Sequence, residues 1–394
     1  MSQQSSSIYL DHAAASPLRP AIFKAMEPFL TDQFGNASAI TRLGVIARAA
    51  LDDARQKLAI TFGAHPDEII FTSGGTESTN LAIQGIIRTQ PSGHIVTTAI
   101  EHHAVLEPIA YLNRQGYQTT AVPVPTSGVV AAEAILAAIQ PNTRLVSVML
   151  ANNEIGTLQP LAELARAVRR LNRQRAIRGL APLYLHTDAC QAAAYLPLNA
   201  DQLGIDALSL NSAKVGGPKG MGVLYLRRGT PLEPILVGGG QEAGRRAGTE
   251  NVAAIVGGAA AIELAQRSWS RESERLVALA NQLLQQLQTA IPGLVVNGDM
   301  IRRLPNNLNL TIPGLDAEAL LLYLEADGVT IGTGAACSSL TLEPSHVLRA
   351  IGLSDQAALS TIRLTLGWNT TADNVTEAVK RIISRIRWFR QHNR

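Results

Sequence analysis

One lysine in this chain is placed for covalent chemistry. Lys214 lies in Asn211-Ser212-Ala213-Lys214-Val215-Gly216-Gly217-Pro218-Lys219-Gly220, just after the apolar run 205–210. An amine at the end of a buried strand is costly unless something uses it. A desolvated amine becomes a nucleophile able to form a Schiff base with an aldehyde. Lys219, beyond the proline, closes the turn. Taken alone, the stretch reads better as a solvated loop lysine; the other reactive groups tip the balance.

Cys337 is surrounded by Gly332, Gly334, Ala335, Ala336, Ser338 and Ser339. Structural cysteines have bulky apolar neighbours, so small residues here predict a mobile loop with an accessible thiol. Arg363 falls inside the alternating run 360–367 and is expected to be buried, where its planar fork suits a carboxylate or phosphate. Asp188 follows Leu183-Tyr184-Leu185 and needs a partner, either a protonated ring nitrogen or a structural cation. Ser73-Gly74-Gly75-Thr76-Glu77 joins a strand to a helix start, where free N–H groups and the helix dipole favour a phosphate. The same stretch also fits an ordinary helix capped by Thr76 or Ser73. Its spacing is neither the dinucleotide fingerprint nor the P-loop. His102-His103 has no acidic or cysteine partner at ligand spacing, so no metal is expected. Either one ring stacks on an aromatic group or both face solvent. The loop 237–251, rich in glycine and carrying Arg245-Arg246, reads as a phosphate or subunit-contact loop.

The elements that must position these groups alternate. A short strand at 8–10 leads into a small-residue turn. Strands are expected at 67–72, 94–98, 119–124, 145–150, 183–186 and 223–226, with helices at 19–30, 41–62, 131–139 and 161–175. Such alternation predicts an α/β fold with a mainly parallel sheet covered on both faces, and ligands beyond the carboxyl ends of its strands. A long helix spans 252–288 with a domain junction near Ala265. Beyond it come strands at 307–312 and 329–331 and helices at 317–325 and 374–389. The expected division is a large domain over 16–264 and a small α+β domain formed by 1–15 and 265–394. The last helix carries Arg381, Arg385, Arg387 and Arg390, a solvated or partner-binding face in preference to a membrane anchor.

Composition sets the limits. In 394 residues, 46% are hydrophobic and 16% charged, enough for a large core and against disorder. The net charge is only +3, so a nucleic-acid partner is not expected. Two cysteines, Cys190 and Cys337, make no disulfide framework and imply a reducing compartment. Residues 1–7 are polar, without the apolar core of a signal peptide, and no apolar run is long enough for a membrane span. A cytoplasmic protein is expected.

In order along the chain, Tyr9-Leu10-Asp11-His12-Ala13-Ala14, Phe71-Thr72-Ser73-Gly74-Gly75-Thr76-Glu77-Ser78, Glu101-His102, Asn152-Asn153-Glu154-Ile155-Gly156, Asp188-Ala189-Cys190-Gln191, Lys214 with Gly217-Pro218-Lys219-Gly220, Cys337 and Leu342-Glu343-Pro344-Ser345 form one set. The set resembles the cysteine desulfurases (NifS/IscS-like) of the class-V aminotransferase superfamily, over nearly the whole chain. The resemblance implies the pyridoxal-phosphate-dependent transferase fold type I, with a mainly parallel seven-stranded sheet. It implies pyridoxal 5'-phosphate held by Lys214, with Asp188 on the pyridine nitrogen and His102 stacked on the ring. Asn153 and Gln191 would bond the ring oxygen, and Gly75 and Thr76 the phosphate. Thr249 would reach the phosphate of a second subunit, making a homodimer, and Arg363 would grip the substrate carboxylate. The family usually has Ser-Gly-His before the lysine; here Ala213 removes one phosphate donor, and Ser212 or Asn211 is expected to compensate. The early loop also departs, as Gly35-Asn36-Ala37-Ser38-Ala39.

The implied reaction takes sulfur from L-cysteine, leaves L-alanine and stores the sulfur as a persulfide on Cys337. The sulfur then goes to iron–sulfur assembly scaffolds or other acceptor proteins. Two other readings remain: another fold-type-I enzyme, such as a selenocysteine lyase or aminotransferase, or a non-catalytic scaffold that binds partners through its last helix.

Overall fold

A computed structural model of the chain describes residues 7–333 and 343–392. Its first half alternates strands and helices. β1 (Ile8–Leu10), α1 (Pro20–Leu30) and α2 (Arg42–Phe62) come first, then β2 (Ile69–Thr72), α3 (Gly75–Ile87), β3 (His94–Thr98), α4 (His103–Arg114) and β4 (Gln118–Val122). Next come α5 (Ala132–Ala137), β5 (Thr143–Ser147), α6 (Leu161–Ile177), β6 (Tyr184–Asp188), α7 (Ala200–Leu203), β7 (Ala207–Asn211) and β8 (Gly222–Leu226). α8 (Val252–Ala290) is followed by β9 (Val295–Val296), β10 (Asn307–Thr311), α9 (Ala317–Ala326) and β11 (Val329–Thr333). The described chain closes with α10 (His346–Ala350), α11 (Asp355–Leu359), β12 (Thr361–Thr365) and α12 (Ala372–His392).

Seven strands form one sheet in the order β2-β8-β7-β6-β5-β3-β4. Only β8 runs against the rest, pairing antiparallel with both β2 and β7. The expected mainly parallel α/β sheet is therefore present, with one reversed strand that the alternation did not foretell. Strands buried on both faces must be apolar throughout, as Ile69-Ile70-Phe71 and Val223-Leu224-Tyr225 are. Ile83, Ile87, Ile95 and Leu112 fill one face beneath α3 and α4. The other face packs Leu51, Leu58, Val223 and Ile262 in a core that continues to Leu310, Ile362 and Leu364 of the second sheet.

That second sheet has the order β1-β11-β12-β10-β9. β1 lies parallel to β11, while β12 is antiparallel to β11 and β10. The chain start thus joins strands more than 300 residues away, in the register Leu10↔Ile331.

Helix boundaries follow local chemistry. Thr41 accepts the N–H of Gly44 to cap α2, and Asn251 caps α8 through Ala254. Leu183–His186 was expected as a strand and extends to Asp188; the expected 145–150 strand ends at Ser147, leaving 148–158 as a loop. Among the described residues, no helix is long and apolar enough to cross a membrane.

Candidate active site

The carboxyl ends of β2, β3, β5, β6 and β7 all open on one cavity of about 300 Å3. Gly75, Thr76, His102, Asn153, Asp188, Gln191, Asn211, Lys214 and Arg363 line it. Residues spread over almost 300 positions of sequence are thereby gathered at one place. Cys337 belongs to 334–342 and lies outside the described residues.

Lys214 stands in the tight turn after β7. Asn211 makes that turn by accepting the N–H of Ala213 at 2.9 Å. The Lys214 amine donates to the carbonyls of Ala13 at 2.8 Å and Ala14 at 2.5 Å. Gln191 donates to the same Ala13 carbonyl at 2.9 Å. The solvated-loop reading of Lys214 is thus replaced by an amine held at the cavity by the segment after β1. Ser212 is a correction. Its hydroxyl is buried and donates to the carbonyls of Pro218 and Met221. The Met221 carbonyl also accepts the Ser212 N–H at 3.2 Å, so the hydroxyl is locked inside the glycine-proline turn. It does not line the cavity, so it does not replace the donor lost at Ala213.

The start of α3 carries no side-chain cap; neither Ser73 nor Thr76 serves as one. The first N–H groups of a helix have no intrahelical acceptor, and here Gly75 and Thr76 bring them to the cavity. A Cβ at Gly75 would sit 2.8 Å from the Cys190 sulfur, so only glycine fits there without a shift. The Cys190 thiol is pushed well up by burial and by Asp188, which keeps it protonated and inert.

His102 caps α4 by accepting the Ala104 N–H on Nδ1 at 2.9 Å. That fixes the neutral tautomer with its proton on Nε2. Burial lowers the pKa of His102, with Asp188 opposing and Lys214 assisting, so the ring is uncharged near neutral pH. His103 is exposed and packs against the His346 ring, with centroids 4.8 Å apart. Of the two adjacent histidines, then, one faces the cavity and one faces outward. Among the described residues no cluster could hold a metal ion.

Asp188 ends β6 with Oδ1 accepting the Cys190 N–H at 2.9 Å. Behind it, His186 is fully buried between the hydroxyls of Ser147 and Ser209, each at 2.9 Å. Burial brings its pKa down to about 4, so it is a neutral spacer across three strands.

Arg363 is buried in β12 and donates to Asp11 Oδ1 at 2.8 Å and to the Asn153 carbonyl at 3.2 Å. Its Nε has no hydrogen-bond partner among the described residues. Thr249, expected to serve a second subunit, is exposed and does not line this chain's own cavity. Its loop is mostly exposed, as expected, yet Glu242 is buried and clamps Arg55 through both oxygens.

Three acidic groups next to residues that line the cavity were given no role from the sequence. Glu101 is fully buried, accepts from Thr98 and the Met149 N–H, and is raised to about 8 by burial, with Asp188 adding. Glu154 rises to about 7, again by burial, against a hydrogen bond from Ser345. Asp11 pairs with Arg363. For Asp11 and Glu101 the available signal was an acidic residue just past an apolar strand; Glu154, in the loop after β5, offered none.

This donor set suits pyridoxal phosphate. An uncapped helix start over Gly75 offers a phosphate site, Asp188 a carboxylate for a ring N–H, and Lys214 an amine for an aldehyde.

The Aminotransferase class-V family model matches residues 8–377. The chain is 44% identical to "Cysteine desulfurase IscS" of Dictyoglomus turgidum over 385 residues, covering 96% of this chain and 95% of that protein. Among solved structures, a NifS-like protein superposes with a TM-score of 0.90 at 32% identity, covering 97% of this chain and all of its own. "SspA in complex with cysteine" superposes with a TM-score of 0.79 at 34% identity, covering 91% and 99%. Gathered strand-end residues and full-length kinship agree: the chain belongs to the class-V aminotransferase family, among the NifS/IscS-like cysteine desulfurases, which are pyridoxal-phosphate-dependent enzymes of fold type I.

Proposed function

We propose that this protein removes sulfur from L-cysteine, releases L-alanine and carries the sulfur as a persulfide on Cys337. The observation that carries the reading is the convergence of Lys214, Asp188, His102 and Arg363 on one cavity. Lys214 holds the cofactor aldehyde, Asp188 its ring nitrogen, Asn153, Gln191 and Asn211 its polar edge, and Gly75 and Thr76 its phosphate. His102 covers the ring face with a neutral imidazole. When bound, the pyridoxal ring supplies an electron sink for the substrate.

Arg363 takes the substrate carboxylate and so sets which way Cβ and sulfur point. The Lys214 amine would take the proton from Cα at Nζ. The Cys337 thiolate then attacks the substrate sulfur. A sulfur–sulfur bond forms, the Cβ–sulfur bond breaks, and its electron pair stays with Cβ. Protonation of Cβ, and return of the proton from Lys214 Nζ to Cα, give alanine, so no outside oxidant is needed.

The working unit is a homodimer. Thr249 completes the phosphate site of the other copy, which accounts for its exposure. Exposed Phe23, Leu30, Phe34, Ile40 and Val45 on α1, α2 and the turn between them are apolar surface for a second copy to cover. The compartment is a reducing cytoplasm, and the persulfide passes to an iron–sulfur scaffold or another acceptor protein.

Mass spectrometry after incubation with L-cysteine tests this. One added sulfur on Cys337, absent in Cys337→Ser, is expected, with alanine formation lost in that variant while the visible cofactor absorbance persists. Undiminished alanine formation by Cys337→Ser removes that residue from the reaction.

A further inference from the structure

The short stretch after β1 touches both halves of the site. Asp11 Oδ1 accepts from Arg363 in the five-stranded sheet. Two and three residues on, the carbonyls of Ala13 and Ala14 accept the Lys214 amine of the seven-stranded sheet. Ser16 then donates to the Lys214 carbonyl at 3.1 Å. Thr365, two residues past Arg363, holds this stretch from below: its hydroxyl accepts the Ala13 N–H at 2.9 Å.

The Asp11–Arg363 contact is a built feature. Asp11 lies just past β1, where it bridges directly to Thr365 of β12, two residues beyond Arg363. The guanidinium reaches across Gly332, which stands opposite Arg363 in the β11–β12 register. A Cβ at Gly332 would lie 2.8 Å from Asp11 Oδ1 and 2.9 Å from Arg363 Nη2. A glycine at this one place lets the two side chains meet over the strand. The Asn153 carbonyl holds Nη1, so the fork is fixed from two directions.

We propose that Asp11 is a positioning residue that aims Arg363 at the substrate carboxylate. This rests on the reading of Arg363 as the carboxylate anchor. Two effects oppose each other when Asp11 loses its charge. Removing a negative group beside Arg363 raises the attraction for a carboxylate. Removing the acceptor that fixes the fork lets the guanidinium turn, and a bidentate contact depends on its direction. The proposal states that direction outweighs charge.

The test compares two ligands that cannot lose sulfur: L-alanine, with a carboxylate, and L-alaninamide, with a neutral amide in its place. Binding to the holoenzyme is read by calorimetry and by the visible absorbance of the cofactor. In Asp11→Asn, the dissociation constant for L-alanine is expected to rise about tenfold or more, as for a lost charge-assisted hydrogen bond, while that for L-alaninamide changes less than about twofold. Gly332→Ala, which wedges the pair apart without removing a charge, gives the same pattern. Equal weakening of both ligands shows a general structural role and overturns the proposal. Unchanged or tighter L-alanine binding in Asp11→Asn overturns it too, as does a wild-type protein that binds no L-alanine. The desulfurase reading fails separately, if the wild type forms no alanine from cysteine.

Discussion

At the carboxyl edge of the seven-stranded sheet, Glu101 is buried against the neutral donors Thr98 and Met149, and its pKa climbs to about 8. At the end of β1 in the five-stranded sheet, the half-buried Asp11 is paired with the buried guanidinium of Arg363. One region stores a proton on a carboxyl; the other stores a fixed ion pair. The difference comes from reach. Strand-end loops offer N–H and hydroxyl donors, which lower a buried carboxyl's pKa less than desolvation raises it. A strand interior beside a glycine gap admits a whole arginine fork. The cavity thus has a titratable carboxyl behind His102 and a fixed ion pair behind Arg363.

Breaking the ion pair gives the largest effect. Arg363→Met leaves the half-buried Asp11 without its cation, and stability to urea is expected to fall by about 3–5 kcal/mol. The KM for L-cysteine rises about 10- to 100-fold in the same variant, from the loss of hydrogen bonds to a charged group. An unfolding midpoint equal to wild type would dissolve the contrast.

Glu101→Gln sharpens it. A carboxyl raised from 4.5 to about 8 on folding favours the folded state fully below the unfolded value, and that support is lost as pH rises toward 8. Wild-type stability should therefore drop relative to Glu101→Gln between pH 5 and pH 9, by on the order of a few kcal/mol. Melting curves of both proteins across that range measure it. A constant difference at every pH shows that Glu101 does not titrate there.

The smallest effect is expected at Cys190. Its thiol is buried beneath Gly75 and protonated. Cys190→Ala should lower sulfur release by no more than about threefold by a cavity-packing effect, against the near-total loss in Cys337→Ser. A large loss would move the candidate nucleophile into the wall of the cavity itself.

The strand-end residues were legible because their signals are local. Gly74-Gly75 and His102 each sit at the start of a helix, a signal of a few residues, whereas Lys214 reads as a solvated loop lysine until the other reactive groups are set beside it. The Asp11–Arg363 pair was not legible, since 352 positions separate its members and only the folded sheet, with Asp11 bridged to Thr365, brings them together. Ser212 misled for a related reason. A hydroxyl beside a lysine looks free until the Pro218 turn folds back and takes it. The reversed direction of β8 was equally hidden, because an apolar strand buried on both faces reads the same in either direction.

β1 precedes every other element described, yet it pairs only with β11, and its tail leans on Thr365 of β12. During synthesis, the strand that steadies the Lys214 amine must wait, unpaired, until some 320 further residues have left the ribosome. A nascent chain therefore has the start of α3 formed well before the carbonyls of Ala13 and Ala14 are fixed beside Lys214, so this wall of the cavity closes only after β11 has emerged.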